Sequence, residues 1–161
     1  MSGEPAAAPA LLSRTALGVF RLNGQFLSVS EELARPAGLT AARWQVLGAV
    51  LVEPLPVAGI ARAMGITRQS VQRIADLLVA DGLAEYRPNP AHRRAKLLAP
   101  TGPGRAAVDR IRPGHRDFAE RLCHALGGEA EFERVMTDLE RLSRALDALA
   151  ADRPEPDGTA G

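Results

Sequence analysis

The side chains best suited to bind a ligand lie in residues 67–73, which read Thr-Arg-Gln-Ser-Val-Gln-Arg. In the major groove of DNA, glutamine can form two hydrogen bonds with adenine, and arginine can form two with guanine. Hydroxyl groups and free backbone N–H groups at the start of a helix instead favour anions such as phosphate. Side chains of these types on one helix therefore indicate a nucleic-acid reader.

The spacing of apolar residues predicts which side chains of this segment face outward. A helix over residues 68–80 would have an inward face of four apolar residues, Val71, Ile74, Ala75 and Leu78. The opposite face would present three candidate base readers, Gln69, Gln72 and Arg73. The first turn would present three candidate phosphate ligands, Thr67, Arg68 and Ser70. On an isolated helix the same pattern would indicate only a solvated polar face, so the flanking elements decide between the two interpretations.

The flanking residues predict a helix-turn-helix followed by a hairpin. A short helical pattern over residues 57–64 precedes Gly65, which can adopt the positive φ that ends a helix, and Thr67 is a suitable N-cap. Gly82 ends the second helix. Two strand candidates follow, residues 84–87 and 95–99, and a Pro-rich loop joins them. The hairpin carries three further candidate DNA ligands, Arg93, Arg94 and Lys96. One of the two arginines is expected to reach a minor groove, where narrow A·T tracts concentrate negative potential.

Long amphipathic helices are predicted on both sides of this core. Residues 11–33 and residues 129–151 carry apolar residues at helical spacing, and residues 103–126 do so with a kink expected at Pro113. A further helix runs from an N-cap at Thr40 to about Val52. The apolar faces of the terminal helices either pack on each other within one chain or interdigitate with those of a second copy across a two-fold axis.

Four segments together resemble the MarR family of dimeric, often ligand-responsive bacterial transcription regulators. They are residues 43–47 (Arg-Trp-Gln-Val-Leu), the turn 65–67, Asp-Gly-Leu at 81–83, and the end of the wing at 93–97. The resemblance covers about residues 11–149. It implies a mainly α fold in which a winged helix-turn-helix with a two-stranded β-wing, about 39–101, is flanked by dimerisation helices, about 11–35 and 103–151. The single domain would span 11–151, with disordered tails at 1–10 and 152–161.

The wing departs from the family pattern in one respect. Family wings carry acidic residues that hold the wing arginines by ion pairs, whereas the matching places here are Asn89 and His92. Asp76 is an alternative partner. Which of Arg93 and Arg94 enters the minor groove is therefore left open.

The charge distribution favours DNA over other partners. Residues 39–105 contain nine basic and four acidic side chains, whereas residues 106–161 contain eight basic and twelve acidic. A winged helix can also bind proteins, but this concentration of positive charge argues against that alternative. Only Lys96 among the 20 basic residues is a lysine, which suits base and phosphate recognition but equally suits a GC-rich genome.

Several classes of protein are excluded by what the sequence lacks. The three histidines and Cys123 show no metal-ligand spacing, and the sequence has neither a Gly-rich phosphate loop nor a nucleophile elbow. We therefore expect neither an enzyme nor a metal or cofactor site. Because the sequence has no signal peptide and no membrane-spanning run, a cytoplasmic protein is expected.

The resemblance also implies an effector pocket where the dimerisation helices meet the winged helix. Four residues are candidates for its lining, Phe20, Asn23, Trp44 and His115. Alternatively, Phe20 and Trp44 are simply core residues. A thiol sensor acting through Cys123 is the rival mechanism, although a late cysteine on a helix is more often a small buried hydrophobe.

The sequence thus predicts a homodimeric, sequence-specific DNA-binding regulator. It would act as a repressor of its own or neighbouring genes on a pseudo-palindromic operator. A small aromatic or anionic ligand would release it from DNA.

Overall fold

The computed structural model describes residues 7–152. In chain order, the elements are α1 (Ala7–Ala34), a 3-10 turn (Arg35–Ala37), α2 (Ala41–Ala49), β1 (Leu55–Pro56), α3 (Val57–Met64), α4 (Arg68–Ala80), β2 (Ala84–Arg87), β3 (Leu97–Pro100), α5 (Gly102–Leu126) and α6 (Glu129–Ala151). The chain divides into two compact units, with the boundary after His115, inside α5. The fold is the predicted mainly α winged helix.

The helix-turn-helix forms where the sequence places its caps. Gly65 has φ +66° and follows α3, and the Thr67 hydroxyl accepts a hydrogen bond from the Ser70 N–H at 3.1 Å. At the end of α4, Gly82 has φ +72°, and the Leu83 N–H donates to the Leu78 carbonyl at 2.9 Å. These local bonds satisfy backbone groups that the helix ends would otherwise leave unpaired, so both helices match the predicted bounds.

The sheet has three antiparallel strands in the order β1-β3-β2, so the predicted two-stranded wing, β2 and β3, carries one further short strand. The third strand is the pair Leu55–Pro56, which aligns with Leu98 and Leu97. β3 begins at Leu97, opposite Arg87, two residues later than predicted. The Ala95 N–H donates instead to the His92 carbonyl at 3.3 Å, so Ala95 and Lys96 belong to the wing loop.

The core of the first unit is aliphatic and lies beneath α4. The predicted inward face of α4 is buried, and it packs with Val46 and Leu47 of α2, Leu98 of β3 and Ile111 of α5. Burying these side chains supplies the hydrophobic free energy that fixes the outward face of α4.

α2 is attached to α1 by a side-chain contact. Glu31 of α1 accepts a hydrogen bond from the Ala41 N–H at 2.9 Å, and the Thr40 hydroxyl accepts one from the Arg43 N–H at 3.2 Å. α2 ends at Ala49 rather than near Val52, because the Val50 N–H turns to the Leu47 and Gly48 carbonyls.

The remaining helices differ in detail from the prediction. α1 begins at Ala7, four residues before the expected start, and α5 begins at Gly102 and runs through Pro113 as one helix. α6 has the predicted bounds, after Gly127 and Gly128 with φ +100° and +111°. Of the two predicted disordered tails, residues 1–6 and 153–161 lie outside the described residues.

Candidate nucleic-acid interface

A cleft of about 560 Å³ separates α4 from the wing and gathers five of the nine predicted DNA-binding residues. These are Arg68, Gln69 and Gln72 from α4 with Arg94 and Lys96 from the wing loop. Pro56, Val57 and Ala58 line the same cleft, together with Tyr86. Three cationic side chains and no carboxylate line the cleft, which suits a phosphate backbone.

A second concave surface runs along the outer face of α4. Gln69, Ser70, Gln72, Arg73 and Asp76 line it. All three candidate base readers are exposed, whereas the opposite face of α4 is buried. The geometry is that of a helix able to enter a major groove.

The two hydroxyl groups at the start of α4, those of Thr67 and Ser70, are hydrogen-bonded to each other. The Thr67 hydroxyl donates to the Ser70 hydroxyl at 2.9 Å while it accepts from the Ser70 N–H. Arg68, beside them, is exposed. Thr67 therefore positions the helix start, and Arg68 is the first-turn residue with a free charge to offer a phosphate.

The basic residues of this region are almost all without ion-pair partners. Of the six basic side chains in 68–96, only Arg87 forms an ion pair within the described part of the chain, with Glu85 at 2.7 Å. Arg93 and Arg94 are exposed in the loop, whose tip is shaped by the Asn89 side chain accepting from the Ala91 N–H at 3.0 Å. Positive charge is thus left free on the surface that also carries the candidate base readers.

The sequence suggested Asp76 as an ion-pair partner for one of the wing arginines. In the structure, Asp76 contacts neither Arg93 nor Arg94. Its carboxylate accepts from the Tyr86 hydroxyl at 2.6 Å and from the Gln72 side-chain amide at 2.9 Å. These two hydrogen bonds lower the pKa of Asp76, and the bond from Tyr86 has the larger effect. Burial, and then the bond to Asp76, raise the pKa of Tyr86 to about 12. Sequence reasoning missed Tyr86 as a site residue, and its only signal was a tyrosine in the strand beside the recognition helix.

The candidate effector residues are only partly brought together. Trp44 and His115 meet edge to face with ring centroids 5.8 Å apart, and they line a cleft of about 270 Å³ with Val108, Ile111 and Arg112. Phe20 and Asn23 do not line it. Phe20 is 72% exposed, so the alternative that it is a core residue is wrong for the single chain.

Comparison with known proteins identifies the family. The sequence model of the MarR family matches residues 37–95, which span α2, the helix-turn-helix and most of the wing. The chain belongs to the MarR family.

One relative and two solved structures illustrate what this chain is similar to. An uncharacterised protein of Mycobacterium tuberculosis is 38% identical over 143 residues, covering 89% of this chain and 97% of the relative. The M. tuberculosis transcriptional regulator MosR, solved in complex with DNA, superposes with a TM-score of 0.67 at 22% identity, over 81% of this chain and 96% of that one. BpsR of Bordetella bronchiseptica superposes with a TM-score of 0.66 at 25% identity, over 81% of this chain and 98% of that one.

Membership of the MarR family makes this chain a winged-helix transcription regulator and supports the expectation that it is not an enzyme. Within residues 7–152, no group of histidine, cysteine and carboxylate side chains is arranged to hold a metal. No helix in the same range is long and apolar enough to cross a membrane.

Proposed function

We propose that this MarR-family regulator is a cytoplasmic homodimer that binds a pseudo-palindromic operator and represses its own gene or its neighbours. The observation that carries the proposal is the unpaired positive charge around α4 and the wing, on the same surface as the exposed Gln69, Gln72 and Arg73. Lys and Arg neutralise phosphates, and side chains on the first half of a recognition helix read base edges. The similar protein MosR has been solved with DNA bound.

The dimer is supported by the apolar surface of the terminal helices. α1 exposes Leu11, Leu12, Leu17, Phe20 and Phe26 by 52–72%, and α6 exposes Leu146 and Leu149 by 55% and 66%. Monomeric proteins seldom leave so many large apolar side chains exposed to water on neighbouring turns of a helix. A second copy offers the same faces, and a two-fold pair of winged helices matches two half-sites about one helical turn apart.

The direct test is a gel shift of the purified protein on the DNA upstream of its own gene at low salt. We expect a retarded complex, and a footprint of two half-sites about 10 base pairs apart, centre to centre. Absence of any shift at low salt would contradict DNA binding and favour a winged helix that binds another protein.

We further propose that a small aromatic anion releases the regulator from DNA. The cleft beside Trp44 offers an aromatic wall, apolar side chains and the Arg112 guanidinium, which pairs with Asp109 at 3.1 Å. Its size suits a single-ring compound. The DNA binding of the similar BpsR is regulated by 6-hydroxynicotinic acid. A ligand would release DNA only if it bound the DNA-incompetent spacing of the two winged helices more tightly than the competent one.

A comparison of two variants separates ligand release from oxidation. In gel shifts with a panel of phenolic and pyridine carboxylates, we expect release from the wild type and little release from His115→Ala. Under peroxide we expect the wild type and Cys123→Ser to hold DNA alike, since Cys123 is half-buried. Loss of DNA by the oxidised wild type alone would make this protein a thiol sensor.

A further inference from the structure

Gln72, Asp76 and Tyr86 form a closed hydrogen-bonded set, here called the Asp76 network. The Gln72 amide nitrogen donates to Asp76 at 2.9 Å and to the Tyr86 oxygen at 2.8 Å, and the Tyr86 hydroxyl donates to Asp76 at 2.6 Å. The network joins the middle of α4 to β2 of the wing. It therefore fixes a side chain that sequence reasoning treated as a free base reader.

The charge on Asp76 decides which end of the Gln72 amide faces inward. An ionised carboxylate only accepts hydrogen bonds, so the group that faces it must be the amide NH₂ and not the amide oxygen. The lowered pKa of Asp76 and the raised pKa of Tyr86, about 12, keep the carboxylate charged and the phenol protonated at neutral pH. Both amide hydrogens of Gln72 are then used within the protein.

The amide oxygen of Gln72 is left to face the ligand. Within residues 7–152 it accepts no hydrogen bond, and Gln72 lines both the cleft beside the wing and the outer surface of α4. In the major groove, only adenine N6 and cytosine N4 donate a hydrogen bond, whereas guanine O6 and thymine O4 accept one. A side chain locked as an acceptor cannot form the two-bond pairing that selects adenine alone.

We propose that Gln72 is a specificity-determining residue that, held by Asp76 and Tyr86, selects any base with an exocyclic amino group rather than adenine alone. This inference rests on the proposed DNA binding. Gln69 provides an internal contrast, because its amide has no hydrogen-bond partner among the described residues and stays free to pair with adenine through both ends.

The test begins with DNA selected from a randomised library by the wild type and by Gln72→Ala. The position whose preference disappears in Gln72→Ala is the one that Gln72 reads. There we expect the wild type to accept adenine and cytosine alike and to disfavour guanine and thymine by about threefold to tenfold, as for one hydrogen bond.

Modified bases test the same point at that position with the wild-type protein. Replacing adenine by 7-deazaadenine, which lacks the N7 acceptor, should leave the affinity unchanged. Replacing it by purine, which lacks the amino group, should weaken binding by about threefold to tenfold. A requirement for adenine alone, with loss of affinity on 7-deazaadenine, would overturn the inference, because it would require the amide nitrogen to face the base.

A pair of variants tests the role of Asp76. Asp76→Asn removes the charge that orients the amide, so discrimination at the position should fall. The double variant Gln72→Glu with Asp76→Asn keeps the net charge of the wild type and restores a group that only accepts, so the preference for amino bases should return. Discrimination that is equal in the wild type, Asp76→Asn and the double variant would contradict the positioning role.

The outcomes separate this inference from the proposed function. If the wild type enriches no sequence, DNA reading itself is wrong and the inference falls with it. If the wild type enriches a sequence and Gln72→Ala enriches the same one with equal preference at every position, only the inference is wrong. Gln72 and Asp76 are exposed and Tyr86 is half-buried, so the substitutions should not disturb the core. Thermal unfolding of each variant checks that it is folded.

Discussion

The arginines of residues 116–152 and the basic residues of 68–96 differ in what they contact. In the first region, four of five arginines form ion pairs with carboxylates three or four residues away on the same helix, as Arg121 does with Asp117 at 3.0 Å. In the second region, one of six basic residues is paired. The same residue type is thus neutralised locally in one region and left available in the other.

The two sets of basic residues suit different purposes. The paired arginines of 116–152 favour solubility, whereas the unpaired basic residues of 68–96 suit recognition of DNA. Exposed i,i+3 and i,i+4 pairs contribute little free energy, and they cancel the field that would attract a polyanion. Within residues 7–152, α6 exposes apolar side chains such as Leu146 and Leu149, whereas around α4 it is basic side chains that lack ion-pair partners. The exposed apolar side chains are the surface proposed for the dimer, and the unpaired basic residues are the surface proposed for DNA.

The largest expected effect comes from placing a charge on the apolar face of α6. Leu146→Glu should weaken the dimer by about 3–5 kcal/mol, as expected for an uncompensated buried charge. Leu146 is 55% exposed in the single chain, so the subunit itself should stay folded. Light scattering at micromolar concentration would show the monomer.

Thr137→Glu is the matched control, because Thr137 lies on the opposite face of the same helix. It should remain dimeric. An intact dimer in both variants would show that the face of α6 is not the subunit interface.

The next effect concerns how the winged helix is held to α5. A Cβ added at Gly104 would lie 1.9 Å from the Leu83 carbonyl oxygen, which already accepts from the Thr101 N–H at 3.1 Å. Gly104→Ala should therefore cost about 1–3 kcal/mol of unfolding free energy, as overpacking does. Gly102→Ala, with open space around the added atom, should cost little. Equal midpoints of urea unfolding for the two variants would show that α5 does not approach this turn so closely.

A smaller and more local effect is expected at Arg73. Arg73→Ala should cost about 1–3 kcal/mol of binding free energy on the preferred operator and relax selection at one base pair. Affinity measurements on single-base operator variants would reveal the relaxed position. If all variants lose affinity by the same factor, Arg73 binds phosphate and not a base edge.

The helix-turn-helix could be predicted to the residue because its boundaries are local. Gly65, Thr67 and Gly82 fix the ends of α3 and α4 through backbone conformation and bonds to near neighbours. The inward face of α4 follows from apolar spacing alone. These features require no knowledge of the rest of the chain.

The features that the sequence did not predict depend on distant residues. The Asp76 network needs Tyr86 to face α4, which follows from the hairpin pairing and not from any local pattern. The helical spacing of α1 predicted an apolar face but did not decide whether its side chains pack within one chain or lie exposed, as Phe20 does.

The most direct test of the contrast between free and paired arginines is the salt dependence of DNA binding. The slope of log K against log salt counts neutralised phosphates, with about 0.9 units for each contact in duplex DNA. Arg68→Ala removes an unpaired charge, whereas Arg144→Ala removes one that pairs with Glu140 at 3.7 Å. We expect the slope to fall by about one unit in Arg68→Ala and to stay unchanged in Arg144→Ala. Equal slopes in the wild type and Arg68→Ala, or a fall in Arg144→Ala as large as that in Arg68→Ala, would contradict the assignment of DNA binding to the winged helix.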